Sequence, residues 1–233
     1  MSASNTFKLV TFNVLAPCYN KVGPGKYENA TVDEYMHRNR LICEKLLQTN
    51  ADIICLQEFW TQNEDLYLMY KTMLCDKGGY EMRSLRRTSH WRSREDGLAM
   101  FVLNRNLEIL DTKDILFHDC GDRVAQLLLL GLRDSPHVGF DSSVADSTIP
   151  TDESYRELFL CVNTHLLFPH NSFSTKIRVR EMSKILDFVE AYRQTELCRD
   201  ICGRSDVRLP VVLAGWCYNP VISAYHNKIL VSI

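Results

Sequence analysis

Six apolar runs, most of them nearly unbroken, set the terms on which this chain can fold: Phe7 to Leu15, Ile53 to Gln57, Leu98 to Leu103, Val124 to Leu132, Leu158 to Asn163 and Leu209 to Ala214. A strand with one wet face alternates polar and apolar residues, whereas an unbroken apolar run needs cover on both faces. Helical patterns fill the intervals. Thr31 precedes Glu34 by three residues, the spacing of a capping box, and Tyr35, Ile42, Leu46 and Leu47 follow at helical intervals. Thr61 and Glu64 repeat that spacing ahead of Leu66, Met69, Tyr70 and Met73. A third helix is predicted from about Ser174, with Ile177, Met182, Ile185, Leu186 and Val189 as its buried stripe. The alternation predicts an α/β layered fold. The adjacent runs Leu98 to Leu103 and Val124 to Leu132 predict some antiparallel pairing as well.

With 233 residues, 45% of them apolar, the chain can bury a large core as a single domain. The stretch from Asp134 to Glu157, rich in Ser, Asp, Pro and Gly, is predicted to be a surface loop. A net charge of −2 excludes a globally basic nucleic-acid surface, so any anion must be bound locally. The nine cysteines are odd in number and form no Cys-x-x-Cys pair, which fits reduced thiols in a cytoplasmic or nuclear protein. No leader pattern or bilayer-length apolar run is visible, so a soluble protein without a membrane partner is expected.

Three polar residues stand where apolar runs end: Asn13, Glu58 and His165. A carboxylate in Glu58's setting is either paired or bound to a hard cation through oxygen, the manner Mg²⁺ prefers. Its bland reading is a cap for the next helix. Asn13 on its own reads equally well as an amide bonded to loop backbone. His165 on its own is more often structural, yet Asp96 opens the strand Leu98 to Leu103 and could accept the Nδ1 proton if the two strands are neighbours. That pair would fix the tautomer, favour the charged ring and suit it to a phosphoryl oxygen. Asp96-Gly97 also reads simply as a turn. The arginines between Arg83 and Arg94, with Trp91 among them, could hold phosphates and stack on a base, or form a solvated loop. Arg123 could reach a phosphate or pair with Asp122 or Asp119.

Taken together, Thr11-Phe12-Asn13-Val14-Leu15-Ala16-Pro17, Ile54-Cys55-Leu56-Gln57-Glu58, Asp96-Gly97 and Asn163-Thr164-His165-Leu166 resemble the endonuclease/exonuclease/phosphatase family in order and spacing. The branch that contains nocturnin and the carbon catabolite repressor deadenylases looks nearest. Ile54 to Trp60, Gly121 to Leu128 and Val162 to His170 further resemble its plant-type calcium-binding members, whose EF-hands follow the catalytic domain. The resemblance implies a DNase I-like, four-layered α/β sandwich: two packed mixed sheets with helices outside. It implies a divalent cation, Mg²⁺ or Mn²⁺, near Asn13 and Glu58, with His165 on the scissile phosphate and Asp96 orienting it; Arg123 is the candidate substrate-binding residue. The chemistry would be attack of water on a phosphoester of RNA or a nucleotide; a phosphatase of inositol phosphates or other small phosphorylated metabolites is the rival reading.

The family's Gly-Asp-x-Asn block departs from pattern here. Leu213-Ala214-Gly215 arrives on schedule, but Trp216 takes the place of the Asp, and an indole neither accepts a proton nor binds a cation through oxygen. Residues 1–215 are therefore expected to form a partial family domain with an incomplete second sheet, and residues 216–233 an atypical tail of a truncated product that lacks the EF-hands. Catalysis is expected to be impaired by loss of this block and of the Asp-His pair that the family carries near its C-terminus, with a non-catalytic RNA- or protein-binding isoform as a further alternative.

Overall fold

The computed structural model describes residues 6–19, 31–89, 95–133, 155–167, 171–203, 209–216 and 230–232. Among these, β1 (Leu9–Asn13), β2 (Ile53–Trp60), β3 (Tyr80–Arg86) and β4 (Asp96–Leu103) form one sheet in the order β1-β2-β4-β3. Strands β1 and β2 run parallel, and the other pairings are antiparallel. The second sheet holds β5 (Leu107–Leu116), β6 (Val124–Arg133), β7 (Tyr155–His165), β8 (Val211–Trp216) and β9 (Leu230–Ser232) in sequential order, parallel only between β7 and β8.

The unbroken apolar runs are explained by what covers each face. Along β2 the side chains alternate, so Ile54 and Leu56 join the cluster under α1 (Val32–Gln48), α2 (Glu64–Tyr70) and a π-helical turn (Lys71–Asp76). Ile53 and Cys55 point the other way, into a cluster shared by both sheets that includes Met100, Leu128, Leu130 and Cys161. The second sheet repeats the scheme: Leu127, Leu129, Leu160 and Val162 meet Ile185, Val189 and Tyr192 of α3 (Ser172–Arg193) and Cys198 of α4 (Glu196–Cys202). The layers are helix, sheet, sheet, helix, as the resemblance implied. All eight cysteines of the described residues are free thiols.

Several expectations need correction. Strands β4 and β6 do not pair; they lie in different sheets, and each finds antiparallel partners elsewhere. Two of those partners, β3 and β5, carry no apolar run because they are edge strands with charged side chains facing out. The capping box of Thr31 and Glu34 is present. Helix α2, by contrast, is capped by Asn63, whose Oδ1 accepts Leu66 N–H at 2.9 Å, while Thr61 donates to the Glu95 carbonyl. On α3, Ile185 and Val189 are buried as predicted but Leu186 is exposed, and Glu181 takes an unexpected place on the buried face.

Arg83 to Arg86 of the predicted basic loop belong to β3, and residues 90–94 lie outside the described set, as do residues 134–154 of the Ser- and Pro-rich stretch. Of the expected tail, Leu230–Ser232 pairs antiparallel with β8, and residues 217–229 are not described.

Candidate active site

Beneath the site a buried polar rung joins the two sheets. Gln57 Nε2 of β2 donates to Thr11 Oγ1 at 3.0 Å and across the sheets to Asn163 Oδ1 of β7 at 2.8 Å. Asn163 Nδ2 returns two bonds to the first sheet, to the carbonyls of Leu56 and Ala99 at 3.0 and 3.2 Å. A satisfied amide network in an apolar layer is specific in register, because any slip strands buried donors. It therefore fixes how β2 and β7 face each other. Glu58 is one residue beyond one end of the rung and His165 two beyond the other.

Glu58 does not end its strand, as the sequence suggested; β2 runs on to Trp60. The ladder with β4 instead breaks between Gln57 and Phe59, leaving Glu58 in a bulge with φ 53°. A left-handed conformation is unfavourable for glutamate and persists where the surroundings impose it, as at functional sites. Here the bulge turns the carboxylate toward β1 and β7. Asn13 Nδ2 donates to Glu58 Oε1 at 2.9 Å, while Asn13 Oδ1 accepts Leu15 N–H at 2.9 Å. Leu15 N–H needs an oxygen and the carboxylate needs a donor, so both contacts set the amide the same way round. Asn13 thus presents its NH₂ group inward, toward Glu58.

Burial pushes the Glu58 carboxyl above its ordinary value and Asp96 adds to the push; the Asn13 bond and Arg123 act against it. Oε2 of Glu58 is shielded from solvent and has no hydrogen-bond partner among the described residues. A buried carboxylate oxygen in that state is costly unless an ion or donor reaches it. These features fit a hard divalent cation. Among the described residues no group of three or more His, Cys, Asp or Glu gathers for a metal.

His165 is buried, with Nε2 facing Glu58 Oε1 at 3.9 Å, too long for a hydrogen bond. Its Nδ1 lies 2.8 Å from Arg123 Nη1. This corrects the expected Asp96–His165 dyad: a guanidinium stands at Nδ1, and Asp96 Oδ2 is 3.8 Å from that same Nη1. A guanidinium can only donate, so Nδ1 offers its lone pair and the neutral ring carries its proton on Nε2. The charged ring expected from sequence is disfavoured: burial, then Arg123 and Arg87, hold the imidazole well below its ordinary pKa. Arg87 was not singled out by sequence, being one of many arginines in a basic stretch. It is buried, donating from Nη1 to Asp96 Oδ1 at 3.1 Å and from Nη2 to Asp122 Oδ1 at 2.5 Å. A cavity of about 370 Å³, lined by Arg86, Arg87, Thr88, Ser89 and His118, opens at this end of the cluster.

Asn13, Glu58, Asp96, Arg123 and His165 are therefore linked contact by contact at one edge of the sandwich. Trp216 is the backbone register partner of His165 between β7 and β8, so the position where an acid was expected adjoins the site.

Two mixed sheets packed face to face between helical layers, with a polar cluster at one edge, define the DNase I-like class of α/β sandwich. The sequence pattern of the Endonuclease/Exonuclease/phosphatase family matches residues 10–215, and the chain belongs to that family. An uncharacterized calcium-binding protein of Arabidopsis thaliana is 34% identical over 208 residues, covering 88% of this chain and 38% of that protein. Carbon catabolite repressor protein 4 homolog 3 of the same plant is 32% identical over 179 residues, covering 71% of this chain and 37% of its own length. Among solved structures, ANGEL2, a 2',3'-cyclic phosphatase in complex with adenosine-2',3'-vanadate, superposes with a TM-score of 0.64 at 19% identity, over 90% of this chain and 52% of that one. The human Nocturnin catalytic domain with bound sulfate anion gives 0.58 at 16% identity, over 90% and 62%. The solved structures share the fold of this chain, and the chain spans less than two fifths of the two plant relatives. No helix among the described residues is long and apolar enough to cross a membrane.

Proposed function

We propose that this edge is a phosphoesterase site for RNA or nucleotide phosphates, served by Mg²⁺ or Mn²⁺ at Glu58 and weak in turnover in this chain. The observation that carries the reading is the Glu58 carboxylate: one oxygen held by Asn13, the other buried with no hydrogen-bond partner among the described residues, beside an imidazole 3.9 Å away. Glu58 would hold the cation, and Asn13 would serve by orienting Glu58. When bound, the cation supplies Lewis-acid stabilisation of charge on the phosphoryl group and leaving oxygen.

The remaining steps belong to the side chains. Neutral His165 donates its Nε2 proton in a hydrogen bond to a phosphoryl oxygen, held in that tautomer by Arg123. Asp96 offsets the charge of Arg87 and Arg123 and so keeps both guanidiniums fixed beside the imidazole. Electrostatic stabilisation of this preset kind costs no reorganisation as charge develops. The attacking water needs a base, and Trp216, whose backbone adjoins His165, cannot act as one. Slow turnover follows.

The test is hydrolysis of single-stranded RNA, an adenine nucleotide and an inositol phosphate, with Mg²⁺ or with chelator, by the wild type, Glu58→Ala and His165→Ala. Slow cation-dependent cleavage of RNA or nucleotide, lost in both variants, is expected. Cleavage that survives in chelator or in Glu58→Ala defeats the reading, and preference for inositol phosphate transfers the site to small metabolites. The Trp216 register favours one other reading, a non-catalytic RNA-binding form. Binding of RNA that weakens steeply with salt, with no cleavage at all, would select it.

A further inference from the structure

Helix α3 buries an acid that the proposed chemistry leaves unused. Glu181 has 0% exposure and shares the inner face of α3 with Ser174, Ile185, Val189 and Tyr192. An apolar side chain is the ordinary occupant of such a place, since a carboxylate there must be compensated. Oε2 accepts Leu167 N–H at 2.9 Å, and Oε1 has no hydrogen-bond partner among the described residues. One helical turn earlier, Arg178 Nη1 donates to the Leu167 carbonyl at 3.1 Å. Both backbone polar groups of a residue two beyond His165 are thus gripped by α3.

The same helix reaches the turn that leads to Arg123. Arg180 Nη2 donates to Asp119 Oδ2 at 3.0 Å, and Lys184 pairs with the other oxygen of Asp119. A Cβ added at Gly121 would lie 3.8 Å from Glu181 Oε1, so the backbone of that turn passes close over the buried carboxylate. Gly121 has φ +143°, a conformation that side-chain-bearing residues avoid. Burial raises the Glu181 carboxyl, while the Leu167 bond and then Arg123 and Arg178 lower it.

We infer that Glu181 is a positioning residue that sets the Arg123–His165 contact by fixing the exit of β7 and the turn before β6 at once. The ladder between β6 and β7 ends at the pair Ala125 and Thr164. Arg123 and His165 both lie past that last pair, so the β6–β7 ladder does not itself join them, while His165 stays paired with Trp216 of β8. Helix α3 supplies the missing constraint from the outer layer. The inference rests on the reading of His165 as the group that meets the phosphate.

The test uses the full chain with ¹⁵N-labelled histidine, the His165 signals being assigned by their loss in His165→Gln. The wild type should show one neutral tautomer protonated at Nε2. Glu181→Ala should shift both His165 resonances toward tautomer averaging and weaken inorganic vanadate binding about tenfold, the scale expected for misplacement below about 1 Å, whereas Glu181→Gln, which keeps an acceptor for Leu167 N–H, should stay within about twofold. Should Glu181→Ala not fold, Arg178→Ala carries the same expectation through the Leu167 carbonyl. Folded Ala variants with lowered thermal stability but unchanged His165 resonances would overturn the inference and leave Glu181 a packing residue. Shifted resonances with unchanged vanadate affinity would keep the positioning role and instead defeat the phosphate role of His165.

Discussion

Glu58 combines a left-handed backbone with a desolvated oxygen that has no hydrogen-bond partner among the described residues. Its carboxyl titrates above the ordinary value, so the folded state keeps a proton that the unfolded chain has already released. Native stability is therefore lost as pH rises from the ordinary carboxylate range through the folded-state value, and the loss persists at neutrality until a cation offsets it. Glu58→Gln removes that cost while keeping an oxygen for Asn13. In chelator at neutral pH the variant should melt above wild type by about 2–4 °C for each kcal/mol recovered, with the gap closing near pH 4. Mg²⁺ should raise the melting temperature of wild type alone. Thermal scans with and without Mg²⁺ decide it, and an equal Mg²⁺ response in both proteins would remove Glu58 from the cation site. His165 has the opposite sign. Its pKa is lowered by burial, then by Arg123 and Arg87, so the neutral ring supports the fold above the ordinary imidazole value and that support is lost as pH falls below about 6.5. His165→Gln should accordingly flatten the stability decline between about pH 7 and pH 5, measurable by denaturant titration at each pH.

At the scale of elements, the site depends on the rung between β2 and β7 more than on any loop. Asn163→Ala would leave Gln57 Nε2 without its partner across the sheets and open a small void between two apolar layers. A loss of about 2–4 kcal/mol is expected from the stranded donor and the cavity together. Thr31→Ala, which removes an exposed cap on α1, should cost about 1 kcal/mol and leave Mg²⁺ binding alone. Denaturant unfolding of both variants separates the two roles; a loss for Asn163→Ala no larger than for the cap would mean that the rung does not join the sheets. The contrast also shows which parts of the structure the sequence displays. Strands β2, β4, β6 and β7 announce themselves because burial on both faces writes an unbroken apolar run, and the α1 cap has a fixed spacing. Edge strands β3 and β5 do not, because solvent on one side admits Arg, Glu, Lys and Asp at the alternating positions. Glu181 left a faint sign: it precedes Ile185 by four and Val189 by eight, which puts a carboxylate on the stripe meant for the core. Contacts such as Arg123 on Nδ1 of His165 leave none, since they depend on how a side chain before β6 and one at the end of β7 happen to converge.

Across the whole molecule, the two sheets bring residues that are more than a hundred positions apart to a common edge, and β8 places Trp216 beside His165 at that edge. The resemblance to the family puts an acid at this position, and Trp216 offers none. If the missing base is what limits turnover, Trp216→Asp should raise Mg²⁺-dependent hydrolysis at least tenfold over wild type, a modest share of the roughly 10²- to 10⁴-fold that a positioned base contributes. The gain should vanish in the double variant with Glu58→Ala, because water activation without the cation site gives no phosphoryl stabilisation. Rates measured on single-stranded RNA and on an adenine nucleotide, in Mg²⁺ and in chelator, would also rank the two substrate classes in one experiment. A Trp216→Asp protein that folds, binds Mg²⁺ and still fails to exceed wild type would show that the indole is not the limiting defect. In that event the edge built by Glu58, Arg123 and His165 would be better understood as a place where phosphate is held than as one where it is cleaved.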